Sequence, residues 1–175
     1  MFRVLLIVVM SFSVTRAVWA DAYGDFSAGN TAAQRADLDL AIHYYSRAIQ
    51  SGELPDDQLA FTFSNRGNAN YLKGNYDQAI QDYDQAIHLR PAFALAFFNR
   101  GNAYLRKGKY ELAIKDYDTA IAFKPDYAKA FGNRGVAYER LGKHDQAVRD
   151  YGRQYELGFR PKWLIEKLEM YGLSL

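Results

Sequence analysis

The 175-residue chain has no cysteine, which excludes disulfide staples, thiolate metal sites and thiol-based catalysis. Catalytic signatures are missing as well: there is no HExxH, no GxSxG and no phosphate-binding loop. His43, His88 and His144 stand apart, with no recurring Asp, Glu or Ser spacing around them, and read as solvated helix positions. No enzyme is indicated, and neither a cofactor nor a metal is expected. An excess of one charge is also absent. Lys and Arg number 22 against 20 Asp and Glu; residues 1–20 hold Arg3 and Arg16 and no acid, so the remainder balances at 20 against 20. A neutral chain gives no electrostatic support to a nucleic-acid partner.

What is present is a globular composition, 49% apolar and 24% charged, with an unusual 14 Tyr and 11 Phe. So many rings suggest a core of aromatic knobs set into small-residue holes. At the N-terminus, Arg3 precedes an apolar run from Val4 to Val14, and Val18-Trp19-Ala20 stands before Asp21. This is the pattern of a secretory signal peptide, with cleavage expected between Ala20 and Asp21. The run is short for roughly 30 Å of hydrocarbon, which favours the signal peptide over the alternative of an uncleaved N-terminal anchor. On either reading the rest of the chain faces a non-cytosolic compartment, periplasmic or secreted, and after cleavage no membrane contact is expected.

The strongest signal is internal repetition. Ser64-Asn65-Arg66-Gly67-Asn68 returns as Phe98-Asn99-Arg100-Gly101-Asn102 and again as Gly132-Asn133-Arg134-Gly135-Val136, at intervals of 34 residues. Residues 60–93 and 94–127 are identical at more than half their positions, including Gly74/Gly108, Ala79/Ala113, Tyr83/Tyr117 and Pro91/Pro125. Residues 128–161 keep the frame through Gly135, Gly142, Ala147 and Tyr151 and then diverge. Upstream, Leu38, Ala41, Tyr45 and Ala48 overlay Tyr76, Ala79, Tyr83 and Ala86, so a degenerate copy occupies residues 21–59, stretched by four residues. Its second helix is marked by the pattern; its first is not.

Within each copy a helical run, a glycine break and a second helical run predict a helix hairpin. Gly67, Gly101 and Gly135 fall inside the first helix, where glycine costs about 1 kcal/mol, which implies a close neighbour. Ala79 and Ala113 are the expected opposing small residues. Pro91 and Pro125 are expected to end one hairpin and open the next. Arg66, Arg100 and Arg134 recur sixteen residues before Asp82, Asp116 and Asp150, which predicts a repeated ion pair between the two helices.

A hairpin of this length, with an aromatic near its start, a glycine four residues on, Ala-aromatic-Ala in the second helix and a terminal Pro, resembles the tetratricopeptide repeat. The resemblance implies an all-α fold: a right-handed superhelical stack of about three and a half hairpins. Residues 60–93, 94–127 and 128–161 are the full repeats, and 162–175 form a C-terminal capping helix. Pro161 and Gly172 bracket that helix, and Trp163, Leu164 and Leu168 are expected to cover the last hairpin.

In such proteins the first helices line a groove that holds a segment of another protein. The positions this implies are Phe61, Asn65, Asn68 and Tyr71, then Leu95, Phe98, Asn99, Asn102 and Arg106, then Lys129, Asn133 and Arg140. Asn65, Asn99 and Asn133 form a ladder similar to that of O-linked N-acetylglucosamine transferase. Such a ladder either grips an extended backbone or caps and bridges its own hairpins. Some members hold acidic C-terminal tails of chaperones in a carboxylate clamp. Asn68, Asn99 and Lys129 match three of its five positions, whereas Ser64 and Asn133 replace the expected Lys and Arg. Leu164, Leu168, Gly172 and Leu173 also resemble the opening helix of a peptidoglycan-binding domain, which makes a cell-envelope factor docking through its C-terminal helix the alternative function. Trp163, Tyr171, Leu173 and Leu175 crowd the terminus, so self-association is a further option.

Overall fold

A computed structural model describes residues 21–172, which are helical throughout apart from turns: α1 (21–34), α2 (Leu38–Gln50), α3 (Asp56–Leu72), α4 (Tyr76–Leu89), α5 (Ala94–Arg106), α6 (Tyr110–Phe123), α7 (Ala128–Arg140), α8 (His144–Glu156) and α9 (Lys162–Met170). The expected signal peptide and its Ala20 junction, with Leu173 and Leu175, lie outside the described residues. No described helix is long and apolar enough to cross a membrane. The chain divides after Arg90 into two compact units, Met1–Arg90 and Pro91–Leu175.

The tight turns are made by backbone. Gly74, Gly108 and Gly142 adopt φ of 84°, 72° and 71°, the left-handed region where glycine carries no Cβ penalty. The next N–H in each then reaches back to the first helix, as in Asn75 to Asn70 O and Lys109 to Tyr104 O at 2.9 Å. Pro91 and Pro125 sit in turns three residues ahead of α5 and α7, not in their first turns. Pro55 and Pro161 are the prolines that directly precede a helix.

In the first unit, α3 pairs with α4 and also packs on α2. The segment 21–34 is helical and supplies the missing half of the first hairpin, with Ala32 packed against Ala41 and Tyr45. Gly29 stands sixteen residues before Tyr45, the same offset as Gly67 to Tyr83. Tyr45 to Gly67 spans 22 residues, whereas Tyr117 to Gly135 spans 18, so the four extra residues fall in the connection from α2 to α3. There Leu54 is buried against Ala22 and Ala48.

In the second unit α5 pairs with α6, α7 with α8, α6 packs on α7, and α9 packs on α8. The aromatic-knob expectation takes a definite form. Tyr45, Tyr83, Tyr117 and Tyr151 are each at most 2% exposed. A Cβ on Gly67, Gly101 or Gly135 would stand 2.8 Å from the ring of Tyr83, Tyr117 or Tyr151. The glycines therefore make room for tyrosine rings, which stand nearer to them than the expected alanines; at Gly135 the backbone of Ala147, the counterpart of Ala79 and Ala113, follows at 3.3 Å. A flat ring lying on a helix needs the bare Cα beneath it.

The recurring ion pair is present in every full hairpin: Arg66 to Asp82 at 2.6 Å, Arg100 to Asp116 at 2.7 Å and Arg134 to Asp150 at 2.7 Å. The three carboxylates are buried. Phe63, Phe97 and Phe131, one turn earlier, stack on the three guanidiniums at 5.3–5.5 Å. Arg66 also reaches Ser46, and Arg134 reaches Asp118, so these arginines tie α3 to α2 and α7 to α6 as well as closing their own hairpins.

Candidate functional site

The candidate binding positions lie on the first helix of each hairpin, and the two units are described separately. In the first unit a hollow of about 410 Å³ opens between α1 and α3, bordered by Asn30, Gln34, Leu38, Asn65, Asn68 and Leu72 with Tyr45 behind. Asn30 Oδ1 accepts from Tyr45 Oη at 2.8 Å and from Asn65 Nδ2 at 3.0 Å. Asn68 Oδ1 accepts from Tyr83 Oη at 2.7 Å. Burial pushes the Tyr83 phenol well above its ordinary range, so it stays a donor.

The second unit repeats the device. Asn102 Oδ1 accepts from Tyr117 Oη at 2.8 Å and from Asn133 Nδ2 at 2.7 Å. Asn65 and Asn133 therefore use their amide N–H on the asparagine of the preceding hairpin, a bridging role between hairpins. Asn99 is half-buried.

The last hairpin departs from this scheme. Val136 occupies the asparagine position, and Tyr151 Oη donates instead to Glu139 at 3.0 Å. Glu139 also accepts from Lys167 at 2.7 Å and Tyr171 at 2.9 Å, which fastens α9. Burial pushes the Glu139 carboxyl up, but the bonds from Lys167, Tyr171 and Tyr151 outweigh it and hold the group below the usual range. Leu164 and Leu168 are fully buried against Ala147 and Tyr151. Trp163 is not sealed in with them: it meets Tyr151 edge-on at 6.3 Å and remains 46% exposed.

Two hollows flank α7. One, of about 270 Å³, is bordered by Phe98, Lys129, Asn133, Val136, Gln154 and Trp163, with Gly132 and Phe159 completing it. The other, of about 550 Å³, is bordered by Leu105, Arg106, Lys107, Tyr110, Val136 and Arg140.

Of the residues expected from sequence, Asn65 and Asn68 share the first unit's hollow; Phe98, Lys129 and Asn133 share one hollow of the second, and Arg106 and Arg140 the other. Phe98 offers little contact surface: it is 8% exposed and packs on Tyr117 and Tyr127. Phe61 is exposed beneath the Arg90 guanidinium, Tyr71 leans on Tyr76, and Leu95 is exposed, all outside these hollows. Asn102 is half-buried and spent on Tyr117 and Asn133. Ser64, at a clamp position, is only 1% exposed. Asn30, Leu72 and Gln154 border hollows without having been singled out. Placing the four-residue insertion after α2 aligns Asn30 with Asn68 and would have found the first of them.

Matches to known families agree with this architecture. The TPR repeat profile matches residues 67–108 and 101–142, and a tetratricopeptide repeat profile matches 128–157. The chain belongs to the tetratricopeptide repeat family. No curated protein matches it. Among solved structures it is similar to the first TPR of Spaghetti (RPAP3) bound to the HSP90 peptide SRMEEVD. Identity there is 31%, covering 66% of this chain and 92% of that one, with a TM-score of 0.63. The second TPR domain of human RPAP3, in complex with the HSP70 peptide SGPTIEEVD, is 34% identical. That match covers 69% of this chain and all of that one, at a TM-score of 0.63. MamA, at 26% identity, covers 83% and 82% of the two chains with a TM-score of 0.74.

Proposed function

We propose that this tetratricopeptide protein is a non-enzymatic interaction module that captures a peptide segment of another protein on the first-helix faces of its hairpins. Its compartment is the periplasm or the cell exterior, reached with the signal-peptide pattern of residues 1–20 and left as a chain beginning at Asp21. The observation that carries the reading is the mixed lining of the hollows on those faces: amides, exposed leucine and cationic side chains, with no cluster of metal-binding groups among the described residues. Such a lining suits an extended or helical peptide, whose backbone needs donors and acceptors and whose side chains need apolar and charged contacts. The RPAP3 domains similar to this chain have been solved with peptides, which supports the same mode here.

The end-group chemistry is expected to differ from theirs. Ser64 is buried and uncharged, and the Asn133 amide is engaged with Asn102, which leaves Lys129 as the cation at the clamp positions. Titration with one acidic-tailed peptide as free acid and as amide should give equal affinity; a tenfold preference for the free acid would restore the clamp.

The experiment for the main reading is capture from an extract of the native compartment by the chain from Asp21 onward. Because Asn65 and Asn133 bridge hairpins, the paired variant uses exposed positions: Leu72→Glu with Lys129→Glu and Arg140→Glu. Loss of a retained protein with helicity unchanged supports the face; retention of the same material by both chains overturns it. The envelope reading draws on fewer groups, since Leu164 and Leu168 are consumed in packing and Trp163 and Met170 are the exposed apolar side chains of α9.

A further inference from the structure

The two units carry opposite charge. From Asp21 the first holds 5 Lys and Arg against 10 Asp and Glu, and the second holds 15 against 10, so the balance of 20 against 20 hides a division. The division is sharp where one hairpin passes to the next. Between α2 and α3, and in the first turn of α3, stand Glu53, Asp56 and Asp57, with no cation between Arg47 and Arg66 and no aromatic side chain between Tyr45 and Phe61. In the second unit, residues 124–129 and 157–163 make or flank the α6–α7 and α8–α9 connections. They hold Lys124, Lys129, Arg160 and Lys162 against one acid, Asp126. The fold brings these two connections together. Lys124, Asp126 and Lys129 border a hollow of about 480 Å³ with Leu157 and Phe159, and Lys129 borders the next with Phe159 and Trp163.

The rings there are open to solvent. Phe159 is 36% exposed and Trp163 46%, and they flank two of the cations in the run Phe159-Arg160-Pro161-Lys162-Trp163. Lys124 lies over the Tyr127 ring at 5.1 Å and Arg160 over Tyr155 at 4.5 Å, contacts that steady a cation without cancelling its charge. Lys162 is 90% exposed, and its 3.5 Å contact with Glu166 is a surface pair of little strength. Cations set among half-exposed aromatic rings suit the boundary between lipid headgroups and acyl chains, where the charge meets phosphate and the ring leaves water. An acidic protein surface accounts for the cations but not for the rings.

We infer that the end of the second unit made by the α6–α7 and α8–α9 connections docks on an anionic lipid surface. Lys124, Lys129, Arg160 and Lys162 meet the headgroups, and Phe159 and Trp163 enter the interface. Such contact needs no membrane-spanning helix, and no described helix is long and apolar enough to be one. It departs from the sequence expectation of no membrane contact, and it does not rest on the peptide-binding reading.

The test uses the chain from Asp21, in which Trp163 is the single tryptophan. With vesicles of equal parts phosphatidylcholine and phosphatidylglycerol, its emission should shift to the blue and saturate, and the chain should sediment with the vesicles. With phosphatidylcholine alone, or at about 0.5 M salt, both effects should be lost. The pair Lys124→Gln with Lys162→Gln should weaken binding about tenfold or more, and Phe159→Ser about fivefold. The pair Lys109→Gln with Lys143→Gln removes the same charge from the other end of the hairpins, since Lys109 and Lys124 stand at opposite ends of α6, about 20 Å apart. It should leave binding within about twofold. No binding to the mixed vesicles, equal binding to phosphatidylcholine alone, or an equal response of the two pairs overturns the inference. So does a shift that grows with protein concentration without vesicles and disappears with Glu53→Gln, Asp56→Asn and Asp57→Asn, which assigns this end to the acidic connection of a second copy. Peptide capture is read separately in every case.

Discussion

The hairpin α5–α6 and the hairpin α7–α8 share a glycine, a tyrosine, an arginine and an aspartate at matching positions, yet they finish their polar contacts differently. In the first, the buried tyrosine donates to an asparagine that also receives the amide of the next hairpin, Tyr117 to Asn102 from Asn133. In the second, that asparagine is Val136, and Tyr151 turns to Glu139, which gathers Lys167 and Tyr171 from α9. A neutral amide joins like to like and can be repeated along a stack. A carboxylate with three donors joins a hairpin to something unlike it, here the single helix α9. The departure from the repeat at Val136 and Glu139 thus fastens α9, and at the neighbouring departure, Gly132, the Gln154 amide lies where a Cβ would stand.

The largest expected effect tests what the hairpins share. Replacing Tyr117 by Ala removes a fully buried ring and should cost about 3–5 kcal/mol in chemical denaturation; Tyr151→Ala should cost a similar amount, and a clear inequality would show that the two cores are not equivalent. Arg134→Met leaves Asp150 buried without its partner and should cost about 3–5 kcal/mol, partly restored by adding Asp150→Leu. Leu168→Ala tests the difference. It should lose about 2–4 kcal/mol, with the fluorescence of Trp163 moving before the helical signal of the remaining chain; coincident transitions would make α9 part of one cooperative unit. Single hydroxyl deletions come next, Tyr117→Phe and Tyr151→Phe each costing about 0.5–1.5 kcal/mol.

The smallest effect is on pH. Because the Glu139 carboxyl is held below its unfolded value, its contribution is complete above about pH 4.3 and is lost as pH falls through the folded value. Acid should therefore loosen α9 first, seen at Trp163 in the chain from Asp21, and Glu139→Gln should flatten that response.

The hairpins, their glycine turns and the Arg–Asp pairs were legible because they recur in phase, and a pattern repeated three times reports a contact repeated three times. The first helix was not legible, since the four-residue insertion around Leu54 hides the register of Gly29 and Asn30. At the candidate site, the positions on the first helices could be named, but not which of them remain available. Phe98 and Asn102 look as accessible in sequence as Lys129 and Arg140, and packing alone separates them. Gln154 carried no signal, because its meaning depends on Gly132 lying beneath it.

The sequence by itself determined the element types, the hairpin period and the pairing of charges, since these follow from local periodicity and from offsets that each copy repeats. The tertiary structure alone decided that the glycines seat tyrosine rings, that Asn65 and Asn133 bridge neighbouring hairpins, and that the last hairpin trades asparagine for a carboxylate latch. Those outcomes depend on which side chains meet across helices distant in the chain, and close packing settles them by shape and by the need to satisfy each buried polar group.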